Sequence, residues 1–115
     1  MTRCRIGVCE MHPELRPDTP AWRRLIAVPR AMPPVAAHFF DVALQMAGVV
    51  SGCYVASSNR GGVDSAGEEF EGRGCVVDPL GQTVVESSPS SPVAFCDIDP
   101  SVVAWKKTIY PCDVA

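Results

Sequence analysis

Eleven prolines in 115 residues set the strongest limit on what this chain can fold into. A proline has no backbone N–H to donate, and its ring clashes with the preceding turn, so it breaks a helix interior. Pro13, Pro17 and Pro20 therefore forbid a continuous helix through residues 10–24, which read as irregular, and Pro29 stops the apolar run Leu25–Val28. With nine glycines as well, a simple helical bundle is excluded, and no collagen-like period links the two residue types. The length suits one small domain. A composition of 47% hydrophobic and 20% charged residues is too apolar for a disordered chain.

Short elements separated by turn chemistry follow. The β-branched Ile6 and Val8 predict a strand over Arg5–Cys9, and Leu25–Val28 predicts a buried strand. Over Val35–Val50 the polar residues His38, Asp41 and Gln45 fall at i, i+3 and i+7, one narrow stripe on an otherwise apolar helix. Such a helix is expected to be buried on most sides. Cys53–Ser58 reads as a strand, and Asn59-Arg60-Gly61-Gly62 with the polar stretch Val63–Glu69 as a loop. Cys75–Val77 and Gln82–Glu86 read as a hairpin about Asp78-Pro79-Leu80-Gly81, with Pro79 early in the turn and Gly81 supplying a positive φ. After the Ser/Pro loop Ser87–Pro92 comes a strand at Val93–Ile98. Asp99 then reads as the cap of a short helix with Pro100 in its first turn. The order is that of an α/β layered architecture with no internal repeat.

Ten basic against thirteen acidic residues give a net charge of −3, with no Lys/Arg run, so no nucleic-acid partner is expected. Val35–Val50 is shorter than the roughly 18 residues of a membrane span, and no membrane partner is expected either. No apolar run of about 7–15 residues follows the basic start, so a cytoplasmic protein is expected, with its thiols reduced. Six cysteines (Cys4, Cys9, Cys53, Cys75, Cys96, Cys112) without a CxxC pair, and only two histidines (His12, His38), predict no metal site. Most of the cysteines read as small buried hydrophobes.

Two readings fit Cys9. It ends the first strand beside a proline-interrupted turn, where backbone N–H groups at a corner can receive a developing oxyanion; or it is one more buried cysteine. Asp97 and Asp99, at i and i+2, read as strand-end acids rather than a catalytic pair. His38 reads as a hydrogen-bonded or interface histidine. Gly72-Arg73-Gly74 lacks the Lys-Ser/Thr of a phosphate loop. Lys106 and Lys107 read as cations at a helix C-terminus.

Taken in order, several segments resemble the carbon–nitrogen hydrolase (nitrilase/amidase) superfamily. They are Gly52-Cys53-Tyr54-Val55-Ala56-Ser57-Ser58-Asn59-Arg60-Gly61-Gly62, Phe70-Glu71-Gly72-Arg73-Gly74, Val76-Val77-Asp78-Pro79-Leu80-Gly81, Asp97-Ile98-Asp99 and Tyr110-Pro111. The resemblance runs best over residues 25–111. Upstream, Arg5-Ile6-Gly7-Val8 looks like the strand leading to the family's nucleophile, and Cys9-Glu10-Met11 like a shortened Cys-x-Asp/Glu corner, with His12-Pro13-Glu14 resembling the Pro-Glu that follows. The spacing there is compressed by a few residues.

The resemblance implies an α-β-β-α sandwich of which residues 1–115 form one partial domain, the C-terminal half. It implies a Cys nucleophile, Cys9, acting on a small amide or nitrile through a thioacyl intermediate, with no cofactor. Arg30 and Asn59 would lie near the substrate; read without the resemblance, Arg30 is a surface cation and Asn59 a residue tolerant of a left-handed turn. The family's Glu base and oxyanion-binding Lys lie upstream of the Cys, and no residue here matches them. Glu10 and Glu14 are too near Cys9 in sequence, and Lys106 and Lys107 belong to the C-terminal region. These residues alone are therefore expected to be inactive, and to associate with themselves or with the missing N-terminal half. The alternative is a non-catalytic assembly module or a degenerate relic of the family.

Overall fold

The structure is a computed structural model; it describes residues 25–109, and residues 3–5 and 8–11 by their backbone alone. Among the described residues are nine strands and two helices. They are β1 (Arg3–Arg5), β2 (Val8–Met11), β3 (Leu25–Ala27), α1 (Ala37–Ser51), β4 (Tyr54–Ser57), β5 (Asn59–Val63), β6 (Glu69–Glu71), β7 (Cys75–Val77), β8 (Thr83–Glu86), β9 (Phe95–Ile98) and α2 (Pro100–Ile109).

The central sheet has the order β3-β4-β7-β8, with β3 parallel to β4 and the other pairs antiparallel. Alternation along β4 and β7 divides its side chains between two layers. Val55, Cys75 and Val77 meet Leu44 of α1 on one face. Tyr54 and Val76 meet Ile98 of β9 and Val103 of α2 on the other. Because both faces are covered, these strands are apolar at nearly every position rather than at every second one. Layers of helix, sheet and a further strand-and-helix layer make this part of an α/β sandwich, as the sequence implied.

Local chemistry explains the boundaries. Pro34 opens a 3-10 turn over Pro34–Ala36 that feeds α1, and α1 stops at Gly52, whose φ of 65° suits a left-handed C-terminal residue. The β7–β8 hairpin turns as expected: the amide of Gly81 donates to the carbonyl of Asp78 at 3.0 Å, with Gly81 at φ 81°. The Asp78 carboxylate accepts from the amides of Leu80 and Gln82, both at 2.9 Å, which fixes the turn from inside. Asp99 caps α2, its Oδ1 accepting from the amide of Ser101 at 2.9 Å.

Several expectations are corrected. The single strand expected at Arg5–Cys9 is two strands in different sheets: β1 pairs antiparallel with β5, and β2 parallel with β9. The loop expected over residues 59–69 is instead the β5–β6 hairpin, pairing Gly61 with Glu71 and Val63 with Glu69. Here ladder hydrogen bonds override the poor strand propensity of the glycines. The strand at residues 25–28 is an edge, not a buried strand, and Ile26 and Ala27 are exposed. The helix at residues 35–50 is open on its outer side rather than buried on most sides, with Phe39 and Met46 both more than half exposed. Counted with its 3-10 turn it spans the 18 residues Pro34–Ser51, at mean hydropathy 1.2, so by length and composition it also meets the measure of a membrane span. Its inner line nevertheless packs on the sheet. Of residues 10–24, expected to be irregular, Glu10 and Met11 are instead the last two residues of β2, because they pair with Asp97 and Ile98 of β9; residues 12–24 and Tyr110-Pro111 lie outside the described residues.

Candidate functional site

Backbone pairing brings the ends of β3 and β4 together at Arg30 and Asn59. The two residues form a parallel bridge, with the amide of Arg30 donating to the carbonyl of Ser58 and the amide of Arg60 to that of Arg30, each at 3.0 Å. The Arg30 side chain then turns inward. Its Nε donates to Ser57 Oγ at 2.9 Å and its Nη2 to the carbonyl of Arg73 at 2.9 Å, while the guanidinium lies 5.7 Å from the centre of the Phe40 ring. Ser57 passes the chain of bonds on, donating to the carbonyl of Val28 at 2.7 Å. Arg30 is thus half-buried and engaged, not a surface cation.

Asn59 is fully buried, at 0% exposure. Its Oδ1 accepts from the amide of Met32 at 3.1 Å, holding the segment after Arg30 against β5. None of the non-glycine residues described has a positive φ, so Asn59 is extended backbone within β5 and not a left-handed turn. Arg30 Nη1 and Asn59 Nδ2 are buried donors that meet no acceptor among the described residues. Each therefore sits in an environment that would reward an incoming acceptor.

Around this pair runs a cationic hub that sequence reasoning missed. Arg73 donates to Glu71 Oε1 at 3.1 Å and to Glu86 Oε1 at 2.7 Å, and pairs with Asp41 of α1. The hydrogen bond to Asp41, followed by that to Glu71, raises the Arg73 guanidinium above its ordinary range, so it stays charged throughout. Its carbonyl receives Arg30, so β6, β8, α1 and the β3 end converge on one residue. Asp41, read from sequence as part of a polar stripe, is the α1 half of that junction. The only sequence signal was its position on the polar line of the helix. Beside the hub, the Arg60 guanidinium stacks 4.4 Å from the centre of the Phe70 ring.

Cys9 does not end its strand, as the sequence suggested. It lies inside β2, with its Cα paired to Cys96 and Glu10 paired to Asp97; the expected corner beyond it lies outside the described residues. Cys53, Cys75 and Cys96 are not disulfide-bonded; Cys53 and Cys75 are buried and Cys96 half-buried. Burial pushes the Cys75 thiol up from its ordinary value, which makes it a poor nucleophile at neutral pH. Lys106 also differs from expectation. Only 5% exposed, its Nζ donates at 2.8 Å to the carbonyl of Val49, so it satisfies the end of α1 rather than of its own helix. His38 is exposed, its ring tilted against Phe39 at 6.1 Å. No cluster of three or more metal-ligating side chains occurs among the described residues.

No family model matches the sequence, and no curated protein matches it. Solved structures do. A carbon–nitrogen hydrolase superfamily protein from Xanthomonas campestris, with an arsenic adduct in its active site, is similar over 90% of this chain and 43% of its own, at TM-score 0.70 and 24% identity. A branch 10 member of the nitrilase superfamily from Saccharomyces cerevisiae is similar over 78% of this chain and 34% of its own, at TM-score 0.65 and 19% identity. A mutant of the Nesterenkonia AN1 amidase, also of the nitrilase superfamily, is similar over 56% of this chain and 24% of its own, at TM-score 0.51 and 29% identity. The chain has the fold of part of a carbon–nitrogen hydrolase. It spans 43% of the first of these structures and less of the other two.

Proposed function

We propose that this chain supplies the nucleophile-bearing part of a carbon–nitrogen hydrolase that acts on a small amide or nitrile. The observation that supports this reading is the fold likeness across 90% of the chain, joined to a cysteine, Cys9, on a strand paired in parallel with β9. In the proposed reaction a base takes the Cys9 proton, and the thiolate sulfur bonds to the carbonyl or nitrile carbon. With an amide, the resulting oxyanion collapses and expels the protonated nitrogen as ammonia or an amine, leaving a thioester. Water, deprotonated by the same base, then attacks that thioester and releases the acid and the thiol. The unpartnered donors Arg30 Nη1 and Asn59 Nδ2 are proposed to bind a substrate acceptor.

The base and the oxyanion-binding lysine have no counterpart among these residues. Lys106 in particular is occupied with the carbonyl of Val49. The chain by itself is accordingly inactive, and associates with a second copy or with the remainder of the fold. Iodoacetamide labelling tests the reading: Cys9 is expected to alkylate faster than the other five cysteines. Cys9→Ser is expected to abolish ammonia release once the fold is completed. Slow, equal labelling of all six would favour a non-catalytic nitrilase-like module instead.

A further inference from the structure

Cys9 has a second cysteine beside it. β2 and β9 run parallel, and their register partners Cys9 with Cys96, between the pairs Val8–Phe95 and Glu10–Asp97. Residues in register on neighbouring strands lie on one face of their sheet. Such strands are about 4.8 Å apart, and a disulfide takes Cα atoms roughly 4.4–6.8 Å apart, so the backbone already meets the first condition for an S–S bond. The other described cysteines are placed elsewhere. Cys4 is partnered with Arg60 in the β1–β5 pair. Cys53 and Cys75 are buried, Cys75 with Leu44 of α1 and Val55. Among the described residues, Cys96 is thus the cysteine that the fold sets next to Cys9.

Cys96 is suited to answer oxidation of its neighbour. It packs against the layer of Tyr54, Val76, Ile98 and Val103 but is only half-buried, and it is not disulfide-bonded. We propose that Cys9 and Cys96 form a reversible redox pair, in which a peroxide joins the two thiols in one disulfide and takes Cys9 out of its reaction. In the first step the Cys9 thiolate attacks a peroxide oxygen and the O–O bond breaks. Cys9 becomes a sulfenic acid, and the hydroxide that leaves takes up the proton Cys9 had given up. In the second step the Cys96 sulfur bonds to the Cys9 sulfur, and the sulfenic hydroxyl leaves as water with the proton of Cys96. The two sulfurs together lose two electrons, and the peroxide is reduced to two molecules of water. A Cα spacing at the short end of the disulfide range gives a bond that a dithiol readily reopens, the behaviour of regulatory rather than structural disulfides. A transient bond of this kind also suits a chain whose thiols are otherwise kept reduced.

The regulatory effect rests on the reading of Cys9 as the nucleophile, whereas the bond itself is tested without activity. The full chain is treated with hydrogen peroxide, its remaining thiols are blocked, and it is digested unreduced with trypsin and a glutamyl endopeptidase. These cuts leave Cys9 in residues 6–10 and Cys96 in residues 87–106, each without another cysteine. Mass spectrometry is expected to find the two peptides joined, in chains that run as monomers on a non-reducing gel, and dithiothreitol to part them. In Cys96→Ser the link should be lost, and Cys9 should go on to the sulfinic acid, which dithiothreitol does not restore. Cys96→Ala should behave alike, and circular dichroism checks that both variants stay folded. Unlinked peptides from the wild type, Cys9 joined to a different cysteine, or a link found only between chains would overturn the pair. Equal recovery of the Cys9 thiol in the wild type and Cys96→Ser would overturn the part given to Cys96. A link formed in a chain whose Cys9 alkylates no faster than its other cysteines would overturn the nucleophile, and the regulation with it, while leaving the redox pair standing.

Discussion

The Arg73 guanidinium binds three carboxylates from three elements, which makes it the residue on which the site depends most. Arg73→Ala leaves Asp41 and Glu71, both mostly buried, without their cation, and removes the anchor of α1 on the sheet. A loss of about 2–4 kcal/mol is expected in urea denaturation, larger than for an exposed ion pair. Ser57 comes next in importance, donating to Val28 and accepting from Arg30 at once. Ser57→Ala should cost about 1–3 kcal/mol, because it strands both partners. Cys75 gives a pH signature. Its thiol is held protonated by burial, so its pKa in the fold exceeds that of the unfolded chain. The stabilisation is therefore full below the unfolded thiol value of about 8.5 and is lost as pH rises through the higher folded value. Urea midpoints measured from pH 8 to 10 should fall, and the fall should be shallower in Cys75→Ala. From sequence, burial of this thiol could be read, and its neighbours Arg30 and Arg73 could not, because they arrive from 45 residues upstream and from the far side of a glycine.

At the scale of elements, close packing decides which glycines are fixed. Gly48 faces the sheet from α1, and a Cβ there would lie 2.6 Å from the carbonyl oxygen of Asp78 and 3.2 Å from Val77. Gly48→Ala gains about 1 kcal/mol of helix propensity, yet should lower stability by about 1–3 kcal/mol overall, since the backbone of a fixed turn cannot yield. A thermal melt settles the sign. The β7–β8 hairpin, the capped α2 and α1 itself were legible in the sequence because each is written locally, in the prolines, in Gly81, in Asp99 and in a helical apolar period. The β5–β6 hairpin was not legible. Gly61 and Gly62 speak locally for a loop, and the strand exists because β1 and β6 pair with it on either side. The division of residues 3–11 into two strands was hidden for the same reason: partners distant in sequence assign each strand to its sheet.

For the whole molecule, the exposed apolar face of α1 and the open edges of β3 and β8 among the described residues mark where further protein would pack. The chain on its own is expected to bind a hydrophobic dye such as ANS in its folded state, and Phe39→Lys to reduce that signal without lowering the melting temperature. The sequence by itself determined the class of fold, the order of most of its elements and the family it resembles. Proline, glycine, capping and periodicity act over a few residues and need no knowledge of the rest. Only the tertiary structure decided that Arg30 and Asn59 are neighbours, that Asp41 and Arg73 lock α1 to the sheet, and that Lys106 closes the end of a helix 57 residues away. Those are contacts across long loops. Their partners are chosen by the geometry of packed layers, which no local pattern encodes.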